Sequence, residues 1–190
     1  MKCFLATVFL TLCASTANAA FIVYDVNRTI GAGTVTGSIT TDGTIGVLSK
    51  TNIKDWSLTL TAPNLNEGAP HTFKGKTLIG GTAASATSTE LLYDLSIEGL
   101  NYFMLMSNII PGSTTANFWC LETMNCSAGP NLSEQIGHTI PNSSVADQFQ
   151  QYTATDTIVF ATVAVVPVPA AVWLFGSGLL GLIGFARRKS

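Results

Sequence analysis

Apolar and polar side chains alternate along most of the chain between residues 20 and 166. Residues 56–62 (WSLTLTA) and 91–98 (LLYDLSIE) place an apolar residue at every second position. Successive side chains of a strand point to opposite faces, so this period of two indicates half-buried β-strands. Branched residues, which fit a pleated surface, are frequent throughout. Further strands are predicted for residues 21–26, 34–40, 71–79, 102–106, 116–121 and 157–165.

Eight or nine short strands and no amphipathic helix predict an all-β domain with the architecture of a β-sandwich or jelly roll. Asp42-Gly43 lies between two strand-like runs and predicts a two-residue hairpin turn, because these residue types tolerate positive φ. Residues 127–155 are polar and contain two prolines, Pro130 and Pro141. We therefore expect a long loop with little regular structure there.

The first 19 residues predict a secretory signal peptide. Lys2 supplies a positive charge, and residues 4–12 (FLATVFLTL) form a short apolar core. Ala17 and Ala19 are the small residues that signal peptidase recognises, so we expect cleavage before Ala20. The apolar run is too short to span roughly 30 Å of hydrocarbon.

A second apolar segment, residues 170–186, predicts a short transmembrane helix. At 1.5 Å rise per residue, its length is at the lower limit of about 17 residues for a membrane span. Arg187, Arg188 and Lys189 follow directly. A basic tail of this kind stays on the cytoplasmic side, which places the preceding domain outside the inner membrane.

A proline motif precedes this segment and consists of Val166, Pro167, Val168, Pro169 and Ala170. The order of proline motif, apolar span and basic tail resembles the PEP-CTERM sorting signal, in its VPLPA-type variant. Val168 stands where the name-giving Glu of the family would lie between two prolines. The resemblance implies a Gram-negative bacterium that makes exopolysaccharide, and processing by an exosortase, an inner-membrane enzyme with a cysteine nucleophile.

The predicted organisation is therefore a signal peptide (1–19), a secreted β-domain (20–166) and a sorting signal (167–190). A softer resemblance concerns residues 37–48 and 52–61, which are similar to the N-terminal hairpin-and-tryptophan pattern of many PEP-CTERM proteins. It implies a secreted β-domain without known catalysis. Two prolines two residues apart hold the chain extended, which suits a strand-like substrate presented just above the membrane.

Composition excludes a nucleic-acid-binding protein. The 190 residues carry a formal net charge of −2, and only 11% of them are charged. After removal of both ends, five Lys and Arg remain against all eleven Asp and Glu, which gives the mature domain a net charge of −6. An acidic domain of this kind repels nucleic acid and other anionic partners.

Cys120 and Cys126 are the cysteines that remain after the signal peptide is removed. In an exported protein the simplest expectation is that they form a disulfide. The alternative is a metal or redox pair, but five intervening residues do not match CxxC spacing.

Candidate catalytic chemistry is sparse. His71 and His138 are 67 positions apart, and neither has Cys, Asp or Glu at ligand spacing. Glu90, Asp94 and Glu98 recur every fourth position, which on one strand would place them on one face. They could form a glycosidase-like pair or a calcium patch, although a solvated strand face explains them equally well. We expect no enzyme activity, no metal and no cofactor.

Sugar stacking needs an exposed aromatic side chain. Trp56 and Tyr93 fall on the apolar faces of their strands and are expected in the core. Trp119 is out of phase with Phe118 and Cys120, so it is the candidate for an exposed ligand contact.

The sequence therefore predicts a cell-surface or matrix protein, structural or adhesive within exopolysaccharide. Its expected partners are signal peptidase, exosortase, the membrane before processing, and extracellular polysaccharide. The alternatives are a carbohydrate-binding module, or a plain single-pass inner-membrane protein with a periplasmic β-domain.

Overall fold

The computed structural model describes the part of the chain between the two predicted processing ends. It covers residues 20–108, 115–123, 126, 130–140 and 143–164. The signal peptide with Ala17 and Ala19 lies outside these residues, as do the motif at 166–170, the transmembrane helix at 170–186 and the basic tail at 187–189. In the described residues, no helix is long and apolar enough to cross a membrane.

Strands make up nearly all the regular structure, which confirms the all-β prediction. The only helical element in the described part of the chain is a short 3-10 turn, Asn66–Gly68. The strands are β1 (Ile22–Ile30), β2 (Gly33–Thr41), β3 (Gly46–Val47), β4 (Ile53–Thr61), β5 (His71–Phe73), β6 (Gly75–Gly80), β7 (Ala84–Ala86), β8 (Glu90–Asp94), β9 (Tyr102–Ser107), β10 (Asn117–Glu122), β11 (Ser133–Ile140), β12 (Ser143–Gln151) and β13 (Thr157–Val163).

The strands form two antiparallel sheets that face each other across one core. The large sheet has the order β3-β7-β8-β13-β1-β2-β4-β5, and the small sheet has the order β12-β11-β10-β9-β6. Phe103 of the small sheet packs on Phe160 of the large sheet with ring centroids 4.8 Å apart. As predicted, Trp56 and Tyr93 belong to this core.

The first tight hairpin lies elsewhere than predicted. Ile30 pairs with Gly33, so Gly31-Ala32 forms the two-residue turn between β1 and β2, and Gly31 adopts φ 56°. Asp42-Gly43 instead begins a longer connection, because β2 pairs directly with β4 while the intervening β3 pairs with β7. The Asp42 carboxylate holds this connection by accepting a hydrogen bond from Asn52 Nδ2 at 3.2 Å.

The prediction of a long loop over residues 127–155 is wrong. This region contains β11 and β12, which form the outer hairpin of the small sheet. The alternation of apolar and polar residues does not indicate these strands, because β12 is a solvent-facing edge strand and carries few apolar residues. In β11, positions that face the core include the polar residues Glu134 and His138.

The predicted strand over residues 71–79 is two strands in different sheets. The chain leaves the large sheet after Phe73 and enters the small sheet at Gly75, so Lys74 marks the crossing. The crossing places β5 beside the end of the small sheet, where the candidate site lies.

Candidate functional site

The inward face of the small sheet changes from apolar to polar at one end. Inward positions of β9 and β10 are filled by buried residues such as Leu105 and Trp119. Two residues further along each strand, the next inward positions are polar: Ser107 on β9, Asn117 on β10 and His138 on β11. Asn117 is opposite His138 in the β-ladder, and its N–H donates to Ser107 Oγ at 3.0 Å. The row of three therefore forms a continuous polar floor.

The large sheet supplies the facing wall. Strand β5 and the segment before it contribute His71, Phe73 and Asn64, among others. Together the two sheets enclose a cleft of about 560 Å³, which we call the end cleft. It is lined by Asn64, Leu65, His71, Thr72, Phe73, Lys74, Ser107, Asn108, Thr115, Asn117 and His138.

A β-bulge fixes the orientation of His138. Ile136 pairs with Gln148 and Gly137 with Ala146, so Asp147 is the extra residue of β12. Bulges re-aim side chains, and the Asp147 side chain is only 3% exposed, with Oδ2 2.9 Å from His138 Nδ1. When Nδ1–H donates to this carboxylate, Nε2 of the neutral ring becomes an acceptor.

The end cleft offers hydrogen-bonding groups with little net charge. The side-chain amides of Asn64, Asn108 and Asn117 make no hydrogen bond within the described residues. No carboxylate is among the lining residues that the structure describes. The cation, Lys74, lies 3.3 Å from the Asp55 carboxylate.

The structure therefore brings both histidines, which are far apart in the sequence, into the lining of one cleft. His71 and His138 lie on opposite walls of the end cleft, and neither residue's neighbours in sequence signal this. Within the described residues, no group of three or more His, Cys, Asp or Glu could hold a metal ion.

The prediction of an exposed Trp119 is wrong. Trp119 is fully buried, and its Nε1 donates to Glu134 Oε1 at 3.0 Å. Phe118 and Cys120 belong to a separate cluster on the outer face of the small sheet. Because Trp119 lies between them on β10, its side chain points to the opposite face, which is the face that packs in the core.

Glu134 is the centre of a buried polar network beneath Trp119. Its carboxylate is fully buried and accepts hydrogen bonds from Arg28 Nη2 at 2.6 Å and from the Tyr152 hydroxyl at 2.9 Å. Burial and the neighbouring negative charge of Glu134 raise the pKa of Tyr152. Arg28 lies on β1, so this network joins the two sheets.

The disulfide prediction is confirmed. Cys120 and Cys126 are bonded, with Cα atoms 6.3 Å apart. Beside them the buried Glu122 carboxylate accepts hydrogen bonds from the Cys126 N–H, from Gln135 Nε2 and from the Ser133 hydroxyl. Burial raises the pKa of Glu122.

The three acids at four-residue spacing do not share a strand. Strand β8 ends at Asp94, so Glu90 and Asp94 lie on it, whereas Glu98 lies in the segment that follows. This removes the geometric basis for a three-carboxylate face.

Comparison with known proteins concerns the C-terminal end of the chain. A family model described as PEP-CTERM protein-sorting motif matches residues 165–189. The chain carries a PEP-CTERM sorting motif. The match covers the predicted sorting residues 166–170 and the basic tail Arg187, Arg188 and Lys189. No curated protein and no solved structure matches the chain.

The PEP-CTERM motif indicates an exosortase-sorted extracellular protein and implies processing by exosortase. Proteins with this motif are exported to the cell surface in Gram-negative bacteria.

The PEP-CTERM motif begins where the β-domain ends. Strand β13 ends at Val163, and the Ala164 N–H donates to the Val23 carbonyl at 3.1 Å. The motif match starts at the next residue, 165. All the described strands therefore precede the motif.

Within the large sheet, the end of β13 and strand β5 of the end cleft lie at different positions along β1. Val163 pairs with Tyr24, near the start of β1. His71 is in register with Leu60, which pairs with Val35, which in turn pairs with Arg28. Phe73 is in register with Leu58, which reaches Val26 through Gly37, so β5 is level with the part of β1 that lies two to four residues beyond Tyr24.

Proposed function

We propose that this chain is the precursor of an extracellular protein that is structural or adhesive within exopolysaccharide. Signal peptidase removes residues 1–19 after Ala17 and Ala19 are recognised. The C-terminal segment then holds the chain in the inner membrane until exosortase acts near residues 166–170. The β-domain is the mature product and has no catalytic role.

The observation that carries this proposal is the match of the PEP-CTERM motif to residues 165–189. Its position next to the end of β13 supports removal of the motif, since cleavage near residues 166–170 takes no described strand from the sheets. The proline pair also suits an enzyme that binds extended chain, because prolines two residues apart exclude a helix.

The composition and the fold support a matrix role. The mature domain carries a net charge of −6, which favours solubility outside the cell. The disulfide between Cys120 and Cys126 suits an oxidising compartment.

Intact-mass analysis of the protein secreted by its native host tests the processing. We expect a product that begins at Ala20 and ends between residues 164 and 170. A mature extracellular product that still contains residues 173–189 would contradict the proposal. A chain found solely in the inner membrane would favour the single-pass alternative.

Replacing Pro167 and Pro169 together by Ala tests whether processing depends on the proline motif. We expect the double variant to accumulate as uncleaved precursor in the inner membrane, because the motif loses its enforced extended conformation. Pro70→Ala, at an exposed position of the β-domain, is the matched control and should be processed normally. Fractionation of the culture into membrane, matrix and medium then reports whether the released wild-type domain associates with polysaccharide.

A further inference from the structure

We propose that the end cleft binds a neutral saccharide unit of a polysaccharide. The cleft is lined by residues of both sheets. Its volume of about 560 Å³ lies within the roughly 300–1,000 Å³ of small-molecule sites. For its biological setting this inference rests on the proposed delivery to exopolysaccharide.

Hydrogen-bonding groups that can serve a ligand converge on the end cleft. The amides of Asn64, Asn108 and Asn117 each offer two N–H donors and a carbonyl acceptor, and each is unpaired within the described residues. A saccharide presents several hydroxyl groups that both donate and accept, so it matches a surface of mixed donors and acceptors.

His138 adds an acceptor in a fixed position. The nearly buried Asp147 carboxylate lies 2.9 Å from Nδ1, so the bulge in β12 holds the ring from behind and favours the tautomer whose proton is on Nδ1. Nε2 is then available to a ligand hydroxyl. Asp147 is accordingly a positioning residue, which does not need to contact the ligand.

Apolar surface lies on the facing wall. The rings of His71 and Phe73 are nearly parallel, at 16°, with centroids 6.2 Å apart. Leu65 lies beside them in the lining. Sugar rings carry apolar C–H faces besides their hydroxyls, so a wall of this kind complements the polar floor.

Other ligand classes fit the end cleft less well. A metal cation would need carboxylates, and the described part of the lining contains none. An anion would need unpaired cations, but Lys74 lies within 3.3 Å of Asp55. A lipid chain or a hydrophobic peptide segment would leave the amides of Asn64 and Asn117 without hydrogen-bond partners, which is unfavourable once they are buried.

The two histidines provide a direct test. The whole chain contains two histidines, and both line the end cleft. The untagged, secreted protein therefore gives two imidazole Hε1 signals in a proton NMR spectrum. We expect both signals to shift on titration with at least one neutral probe. The probes are hexasaccharides of β-1,4-glucan, β-1,3-glucan, α-1,4-glucan and β-1,4-mannan, and the neutral oligosaccharides from hydrolysis of the producer's own exopolysaccharide.

Polygalacturonate serves as the charged comparison. Shifts of both histidine signals with a neutral probe, and weaker or no shifts with polygalacturonate, support the proposal. If no neutral probe moves either signal at millimolar concentration, or if polygalacturonate alone moves them, the proposal is overturned.

Variants then locate the binding. Asn117→Ala and His138→Ala should each weaken the binding of the active probe about tenfold or less, the effect of losing one hydrogen bond. Asn27→Ala is the matched control, because Asn27 is exposed on β1, away from the lining residues. Equal affinity of wild type and both cleft variants would overturn the assignment, provided that their thermal midpoints match that of the wild type.

Asp147→Asn tests the positioning role separately. The amide retains the size of the side chain but no longer fixes which nitrogen of His138 carries the proton. We expect weaker binding together with a changed chemical shift of the His138 signal in the free protein. Unchanged values of both would contradict the positioning role. These measurements use purified protein, so they can fail while the sorting experiments succeed, and the reverse.

Discussion

Glu134 and Glu122 are both buried on the small sheet, but their carboxylates have different hydrogen-bond and charge partners. Glu134 has a cationic partner, Arg28, and two further donors in Trp119 and Tyr152. Glu122 has a backbone N–H and the neutral side chains of Ser133 and Gln135. A buried carboxylate without a cation favours its protonated form, which explains why burial raises the pKa of Glu122.

Glu134→Gln should destabilise the domain. The substitution retains the shape of the side chain but leaves the Arg28 guanidinium, which is 23% exposed, without its anionic partner. We expect the free energy of unfolding to fall by about 2–3 kcal/mol, below the usual cost of breaking a buried pair because water partly screens Arg28. Urea titration followed by tryptophan fluorescence measures this loss. Exposed Glu98→Gln is the control, and a similarly small effect at both positions would contradict the assigned network.

Glu122→Gln should change how stability depends on pH. Because the folded-state pKa of Glu122 lies above the value of the unfolded chain, this residue stabilises the fold at acidic pH, and that contribution is lost as pH rises from about 4.5 through the folded pKa. The variant lacks this titration, so its stability relative to the wild type should increase with pH. Unfolding free energies at pH 4, 5, 6 and 7 measure the trend. A difference between the two proteins that is constant with pH would contradict it.

At the scale of elements, local pattern predicted the strands that alternate most regularly. Residues 34–40 lie in β2 and residues 56–61 in β4, and the alternating apolar residues of these runs are buried: Val35, Ile39, Trp56, Leu58 and Leu60. Strand β12 carries little such signal, since an edge strand faces solvent over much of its surface. The split between β5 and β6 at Lys74 follows from sheet packing, which a continuous apolar pattern does not reveal.

The end cleft could not be predicted from the sequence for a related reason. Its floor depends on the register that aligns Asn117 with His138, and its wall depends on the crossing of the chain after Phe73. The bulge at Asp147 adds one residue to β12, whose own sequence has no Gly or Pro to mark it, and the glycine at the bulge, Gly137, lies on the partner strand. By contrast, the disulfide and the sorting motif are short-range features, and the residues themselves were sufficient to predict them.

At the scale of the whole molecule, the first and the last described strands of the chain are neighbours in the large sheet. Strand β1, which begins at Ile22, pairs with β13, which ends at Val163. The N-terminal and C-terminal ends of the described chain therefore lie close to each other in this sheet.

Truncation separates the domain from its C-terminal segment. A chain comprising residues 20–164 should fold with the same thermal midpoint as the processed natural product, because every described strand is retained. A chain comprising residues 20–156 lacks β13, which lies between β8 and β1, and should not fold. Circular dichroism and thermal melting compare the two. Loss of structure in the longer chain would show that the fold requires the sorting segment.

The position of β13 also sets the order in which the protein can assemble. Its two neighbours in the sheet are β8 and β1, so the large sheet stays divided until residues 157–163 have crossed the membrane. Contacts between such distant parts of a chain form late and slowly. The large sheet is therefore completed only when the segment that exosortase cleaves follows β13 across the membrane. A chain that is incompletely translocated lacks β13, the strand that joins the two parts of the sheet.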